Sequence, residues 1–111
     1  MAYQPRQGDI IYLNFDPQAG HEQAGRRPGL VVSNDIFHKY TNGFGLVCPI
    51  TNTQAPFPMH VHLDANTKTT GVVMCEQVKS LDLIARQASF VERIPEDLLA
   101  DTLQQLHLSL N

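Results

Sequence analysis

The stretch Gly8-Asp9-Ile10-Ile11-Tyr12-Leu13-Asn14-Phe15-Asp16-Pro17-Gln18-Ala19-Gly20-His21-Glu22-Gln23-Ala24-Gly25-Arg26-Arg27-Pro28-Gly29-Leu30-Val31-Val32-Ser33 sets the frame for everything else in the chain. Its ends, residues 8–15 and 28–33, are short apolar runs bounded by Gly, Pro and Asp, which is the pattern of strands. Between them lies a segment of thirteen residues, Asp16 to Pro28. A turn of two to five residues is enough to join two strands, and loops this long usually carry a binding function. The segment is polar in a particular way: two guanidiniums, an imidazole, a carboxylate and an amide stand between glycines. Arginines offer fork-shaped donors that suit phosphate, and Pro28 fixes the backbone after Arg27, where the loop meets the second strand. A solvated loop with Glu22 paired to an arginine is the plainer alternative.

Working outward, the same punctuation continues. Residues 35 to 40 predict one helical turn, Asn42-Gly43 a turn tolerant of positive φ, and Phe44 to Ile50 a third strand. Met59-His60-Val61-His62-Leu63 alternates with period two, so Val61 and the two imidazoles point to opposite faces of a half-buried strand. Further strands are predicted over 71–76, 78–83 and 88–91. Pro95 suits a first helical position, Glu96 and Asp97 suit the positive end of a helix dipole, and Leu99, Leu103, Leu106 and Leu110 recur at helical spacing. Five to seven strands and one closing helix predict a mainly β fold, a small bent sheet or barrel with a C-terminal helix packed on it.

The chain has 111 residues, room for a single domain over 1–111, with 42% hydrophobic and 17% charged residues. That composition excludes a disordered chain, and the low charge favours self-association. No apolar window is long enough for a membrane span and no signal-peptide core follows Met1, so a cytoplasmic location is expected. Cys48 and Cys75 sit in apolar runs and read as reduced core thiols. Net charge is −3, and the excess is local: residues 1–90 hold equal numbers of basic and acidic side chains, whereas 91–111 set Arg93 against Glu92, Glu96, Asp97 and Asp101. The body is therefore free to present a basic site. His60 and His62 lack a third ligand nearby, so an exposed polar strand face is preferred to a metal site. Phe15, Phe37 and Phe57 flank the loops and read as core before base-stacking platforms.

Three segments together carry a resemblance. Gly8-Asp9-Ile10-Ile11 and Phe15-Asp16-Pro17 lead to Gly20-His21-Glu22-Gln23-Ala24-Gly25-Arg26-Arg27-Pro28 and Val31-Val32-Ser33; then come Cys48-Pro49-Ile50-Thr51-Asn52-Thr53 and Glu76-Gln77-Val78-Lys79-Ser80. In this order they resemble the MazF/PemK-type toxin endoribonucleases. The resemblance implies an SH3-like, CcdB/PemK-type barrel working as a homodimer and held inactive by a cognate antitoxin. It also implies cleavage of single-stranded RNA without metal or other cofactor, by 2'-hydroxyl attack. Arg27 matches the family's catalytic arginine and Thr51 its catalytic threonine, with Glu22 as a supporting or catalytic carboxylate. Arg26, His21, Gln23, Gln77, Lys79 and Ser80 are the candidate RNA contacts, and the neighbouring guanidiniums of Arg26 and Arg27 are expected to face one phosphodiester together with Thr51. Because arginine is almost always protonated, the general base stays open between Glu22 and His21. Two other classes share such a fold: a gyrase-poisoning toxin of the CcdB type, whose members lack the Glu-Gln-x-Gly-x-Arg-Pro loop, and a catalytically silent RNA-binding member.

Overall fold

The computed structural model describes residues 3–16, 25–52 and 59–110. In chain order these form β1 (Asp9–Asn14), β2 (Arg26–Val31), α1 (Asp35–Thr41), β3 (Phe44–Thr51), β4 (His60–His62), β5 (Val72–Met74), a 3-10 turn (Cys75–Gln77), β6 (Lys79–Asp82), β7 (Ser89–Arg93) and α2 (Glu96–Leu110). The seven strands make one antiparallel sheet ordered β4-β5-β3-β2-β1-β7, with β6 paired to β3. β3 is the hub. Its first half pairs β6, its last two residues pair β5 on the same edge, and β2 pairs its middle on the other edge. A strand of eight residues, twice the length of β6, is what lets two partners share one edge.

Both faces of the sheet are covered, which is why β1 reads as a continuous apolar run broken only by Tyr12. On one face Ile10, Leu30, Cys48, Ile50, Val61 and Val73 pack with Leu98 of α2. On the other, Ile11, Leu13, Phe15, Val31, Val47, Leu81 and Leu83 form a second core. Val61 is buried and His62 exposed, as the alternation requires, but the expected exposed polar face is corrected at His60, whose side chain is only 8% exposed because it packs against Glu76. Both cysteines are free and buried.

The sheet curls without closing through a backbone ladder between its outer strands. Instead the Glu92 carboxylate on β7 accepts hydrogen bonds from the backbone N–H groups of Lys68 and Thr69 (3.0 and 2.7 Å) and from the Thr69 hydroxyl (2.7 Å), in the connection between β4 and β5. One side chain thus ties the two ends of the sheet together and gives the fold its barrel-like form. Desolvation acts to raise the Glu92 pKa, but the bonds from Lys68 and Thr69 favour the charged form and hold it below the ordinary carboxylate range.

Some elements differ from the sequence reading. β2 starts at Arg26, so both arginines belong to a strand and not to the loop. Residues 75–77 leave the fifth strand as a 3-10 turn. α1 runs for seven residues, started by the Asn34 side chain accepting from the Phe37 N–H at 3.0 Å and stopped by Asn42 at φ 56°. In α2 the stripe turned most deeply inward is Leu98 and Thr102, with Leu99, Leu103 and Leu106 half-buried beside it, while Leu110 is 86% exposed. Thr102 is admitted to the interior because its hydroxyl donates to the Leu98 carbonyl at 2.9 Å. Among the described residues no helix is long and apolar enough to cross a membrane.

Candidate active site

Alternation along β2 separates the two arginines. Arg26 lies opposite Asn14 and Arg27 opposite Leu13, so their side chains leave the sheet on opposite faces. Arg26 is exposed, its guanidinium carbon 4.9 Å from the centre of the Tyr12 ring. Arg27 is half-buried on the face of Leu13, Val31 and Val47. The expectation of two neighbouring guanidiniums converging on one phosphodiester is therefore corrected: the strand turns Arg26 away, and Arg27 alone shares a face with the second core.

Thr51 shares that face. The β2–β3 ladder pairs Val31 with Val47, Leu30 with Cys48 and Gly29 with Pro49. The printed pairs end at Gly29 and Pro49, and Arg27 and Thr51 each lie two positions further along their strands, so alternation places both on the face of Val31 and Val47. Thr51 is 3% exposed, so its hydroxyl is a desolvated group whose electrostatic interactions exceed those of a surface threonine. Two glycines make this possible. A Cβ on Gly29 would stand 2.6 Å from Val47 Cγ1 and 3.0 Å from Phe15 Cζ, so the Phe15 ring occupies the space over Gly29 and belongs to the core. A Cβ on Gly71, which has φ +112°, would stand 2.3 Å from the Thr51 carbonyl oxygen. The bare backbone of Gly71 thus lies directly against the backbone of Thr51.

The stems of the long loop are pinned. The Phe15 N–H donates to the Gly25 carbonyl at 2.8 Å, and the Gly25 N–H to Asp16 Oδ1 at 2.8 Å. The Arg86 guanidinium reaches across from the β6–β7 turn and donates to the backbone carbonyls of Asn14 and Asp16. His21, Glu22, Gln23, Thr53 and Phe57 lie outside the described residues.

The third matching segment, Glu76 to Ser80, divides in the same way as the arginines. Lys79 pairs with Val47 and so lies on the Arg27–Thr51 face, while Ser80 pairs with Leu46 and lies on the other. Along β3 the step from Val47 to Thr51 is about 13 Å, which makes Lys79 a rim cation and not a neighbour of Thr51. Gln77 is half-buried at the end of the 3-10 turn and donates to Met74 Sδ at 3.8 Å. His60 Nε2 meets Glu76 Oε2 at 3.0 Å. Among the described residues no three His, Cys, Asp or Glu side chains come close enough together to hold a metal ion. A cavity of about 780 Å³ is lined by Tyr3, Arg6, Asp35, His38, Phe44 and Ile84, among others, at the far end of β3. It includes neither Arg27 nor Thr51, and its residues do not come from the motif segments.

A small curled antiparallel sheet with a C-terminal helix, carrying Arg27, Thr51 and Lys79 on one face, is the class of fold and site these elements define. Comparison with known proteins makes this specific. Residues 6–110 match the family model described as PemK-like, MazF-like toxin of type II toxin-antitoxin system, and the chain belongs to that family. The chain is similar to endoribonuclease PemK of Escherichia coli, 38% identical over 103 residues covering 89% of this chain and 77% of that protein. It is also similar in structure to MazF from Deinococcus radiodurans, with a TM-score of 0.90 and 39% identity over 98% of both chains. A MazE-MazF structure from the same organism gives a TM-score of 0.84 at 39% identity over 98% of this chain and 97% of that one.

The sequence reading missed Gly71 and Arg86. Gly71 gave a partial signal, being a glycine that opens a strand, where close backbone approach is one of the standard meanings. Arg86 gave none, since an isolated arginine in a turn carries no mark of what it will reach.

Proposed function

We propose that this chain is a sequence-specific endoribonuclease toxin that cuts single-stranded RNA without a metal ion, leaving a 2',3'-cyclic phosphate and a free 5'-hydroxyl. The observation that supports this reading above all is that β2 and β3 carry Arg27 and Thr51 on one face of the sheet. In the reaction the ribose 2'-oxygen forms a bond to phosphorus as the bond to the 5'-oxygen breaks. The 2'-hydroxyl proton passes to a base, and a proton is delivered to the departing 5'-oxygen. Negative charge grows on the two non-bridging oxygens, where the Arg27 guanidinium stabilises it and the Thr51 hydroxyl donates a hydrogen bond. Glu22 is the carboxylate suited to accept the proton or to orient Arg27, with His21 as the other candidate base. Gln23, Gln77 and Lys79 serve as RNA contacts, Lys79 from the Arg27–Thr51 face; Arg26 and Ser80, on the opposite face, act on flanking nucleotides.

The working form is a homodimer in the cytoplasm, restrained by a cognate antitoxin whose acidic segment competes with RNA. The pairing of MazE with MazF in the Deinococcus radiodurans structure supports such a partner. Incubation of the purified protein with a long transcript in excess chelator tests the proposal. Discrete fragments bearing cyclic phosphate ends are the expected result. RNA binding without fragments would establish the silent RNA-binding class instead, and arrest of gyrase without RNA cleavage the poison.

A further inference from the structure

The face that carries Arg27 and Thr51 extends beyond them. Thr51 pairs with Val72 of β5, Val72 with His62 of β4, and one row along the sheet Met74 pairs with His60. Both imidazoles therefore leave β4 on the Thr51 side, and the buried Val61 between them leaves on the other. They differ in state. His62 is exposed, whereas the His60 side chain is only 8% exposed and is joined through Nε2 to Glu76 Oε2 at 3.0 Å. That contact links the outer strand β4 to the 3-10 turn, which ends at Gln77 and leads through Val78 into Lys79. The Glu76 side chain keeps 27% of its exposure, so the carboxylate is held on one side and open to solvent on the other.

A carboxylate beside a phosphate-binding face repels nucleic acid unless it has a partner and a task. Pairing with His60 supplies the partner. The task follows from position: two strands and two residues away, His60 stands about 12 Å from Thr51 in the plane of the sheet, too far to touch the phosphate held there but within the span of an adjoining nucleotide. The Glu76 carboxylate, held 3.0 Å from His60 Nε2, is an acceptor for the exocyclic amino group of an unstacked base.

We propose that His60 is a positioning residue for RNA recognition: it anchors the Glu76 carboxylate beside the Arg27–Thr51 face as the acceptor for an amino-bearing base next to the cleaved phosphodiester. The proposal rests on the ribonuclease reading given above. It is tested with the full-length protein, by cleaving a transcript library randomised around a mapped site and measuring KM and kcat on a single cleaved substrate. In His60→Ala, KM is expected to rise about tenfold, the value of a hydrogen bond to a charged group, with kcat within about twofold and base preference lost at one position. His60→Gln, whose amide donates the same hydrogen bond, restores most of KM and preference, and Glu76→Ala loses the same preference as His60→Ala. Thermal melts accompany each variant; if His60→Ala melts below the assay temperature, His60→Gln and Glu76→Ala decide the matter. Wild-type KM and preference in His60→Ala, or in Glu76→Ala, would overturn the proposal while leaving the ribonuclease reading intact. A wild-type protein that cuts no RNA would overturn both.

Discussion

Replacing Gly71 with alanine tests whether the backbone beneath Thr51 sets the chemistry. The added Cβ would stand 2.3 Å from the Thr51 carbonyl oxygen and 3.1 Å from Asn52 Oδ1. Since Cβ contacts under 3.0 Å do not occur, one of the two backbones must retreat by at least about 0.7 Å, and no flexible side chain is available to absorb it. The positive φ of Gly71 adds a strain of about 1–3 kcal/mol for a residue with a Cβ. Displacements near 1 Å at a reacting group can cost about a hundredfold in rate, so Gly71→Ala is expected to lower kcat some 30- to 100-fold while the protein stays folded with a reduced Tm. The assay is single-turnover cleavage of one RNA by four proteins: wild type, Gly71→Ala, Thr51→Ala and the double variant. If Gly71 acts through Thr51, the double variant is about as slow as Thr51→Ala alone, because the hydroxyl being misplaced is already absent. Additive losses, or a folded Gly71→Ala with wild-type kcat, would refute the reasoning.

Arg27→Ala is expected to lower kcat about 10²- to 10³-fold, the usual loss when one donor to a developing oxyanion is removed. Arg26→Ala, on the opposite face over Tyr12, should leave kcat within about threefold and chiefly flatten the salt dependence of binding; a reversal of these two effects would show that the faces have been misassigned. Arg86→Met keeps the stem but removes both bonds to the Asn14 and Asp16 carbonyls, and kcat/KM should fall about tenfold with little change in Tm. Unchanged cleavage would mean that the loop stems need no clamp. Glu92→Gln probes the closure of the sheet. Its folded pKa lies below its unfolded value, so its contribution is present above about pH 4.3 and is lost as pH falls through the folded pKa. The variant should therefore melt a few degrees lower at pH 7 and lose less Tm than wild type between about pH 5 and 3, as followed by circular dichroism. Parallel Tm curves for the two proteins would rule out Glu92 as the closing contact.

The strand succession and the closing helix were legible in the chain alone, and so were the candidate residues named above, because all of these depend on local signals. Gly and Pro end strands wherever they fall, period two sends Val61 inward and His62 outward, and the Glu-Gln-Ala-Gly-Arg-Arg-Pro run is a contiguous mark. The sequence also placed Phe15 in the core and both cysteines as buried thiols, whereas Phe37, read as core in the same way, is only half-buried on α1 and belongs to neither core. The tertiary structure decided what lies across from what. Arg27 and Thr51 are far apart in the chain, and only the β2–β3 pairing shows that they share a face. Arg26, adjacent in sequence, is carried to the other face once the strand is seen to begin two residues before Pro28. The Glu92 clamp, the Arg86 clamp and the contact of Gly71 with Thr51 all join segments remote from each other in sequence. Periodicity states which way a side chain points along its own strand, but register between strands is fixed only when the chain closes on itself and both cores fill at once.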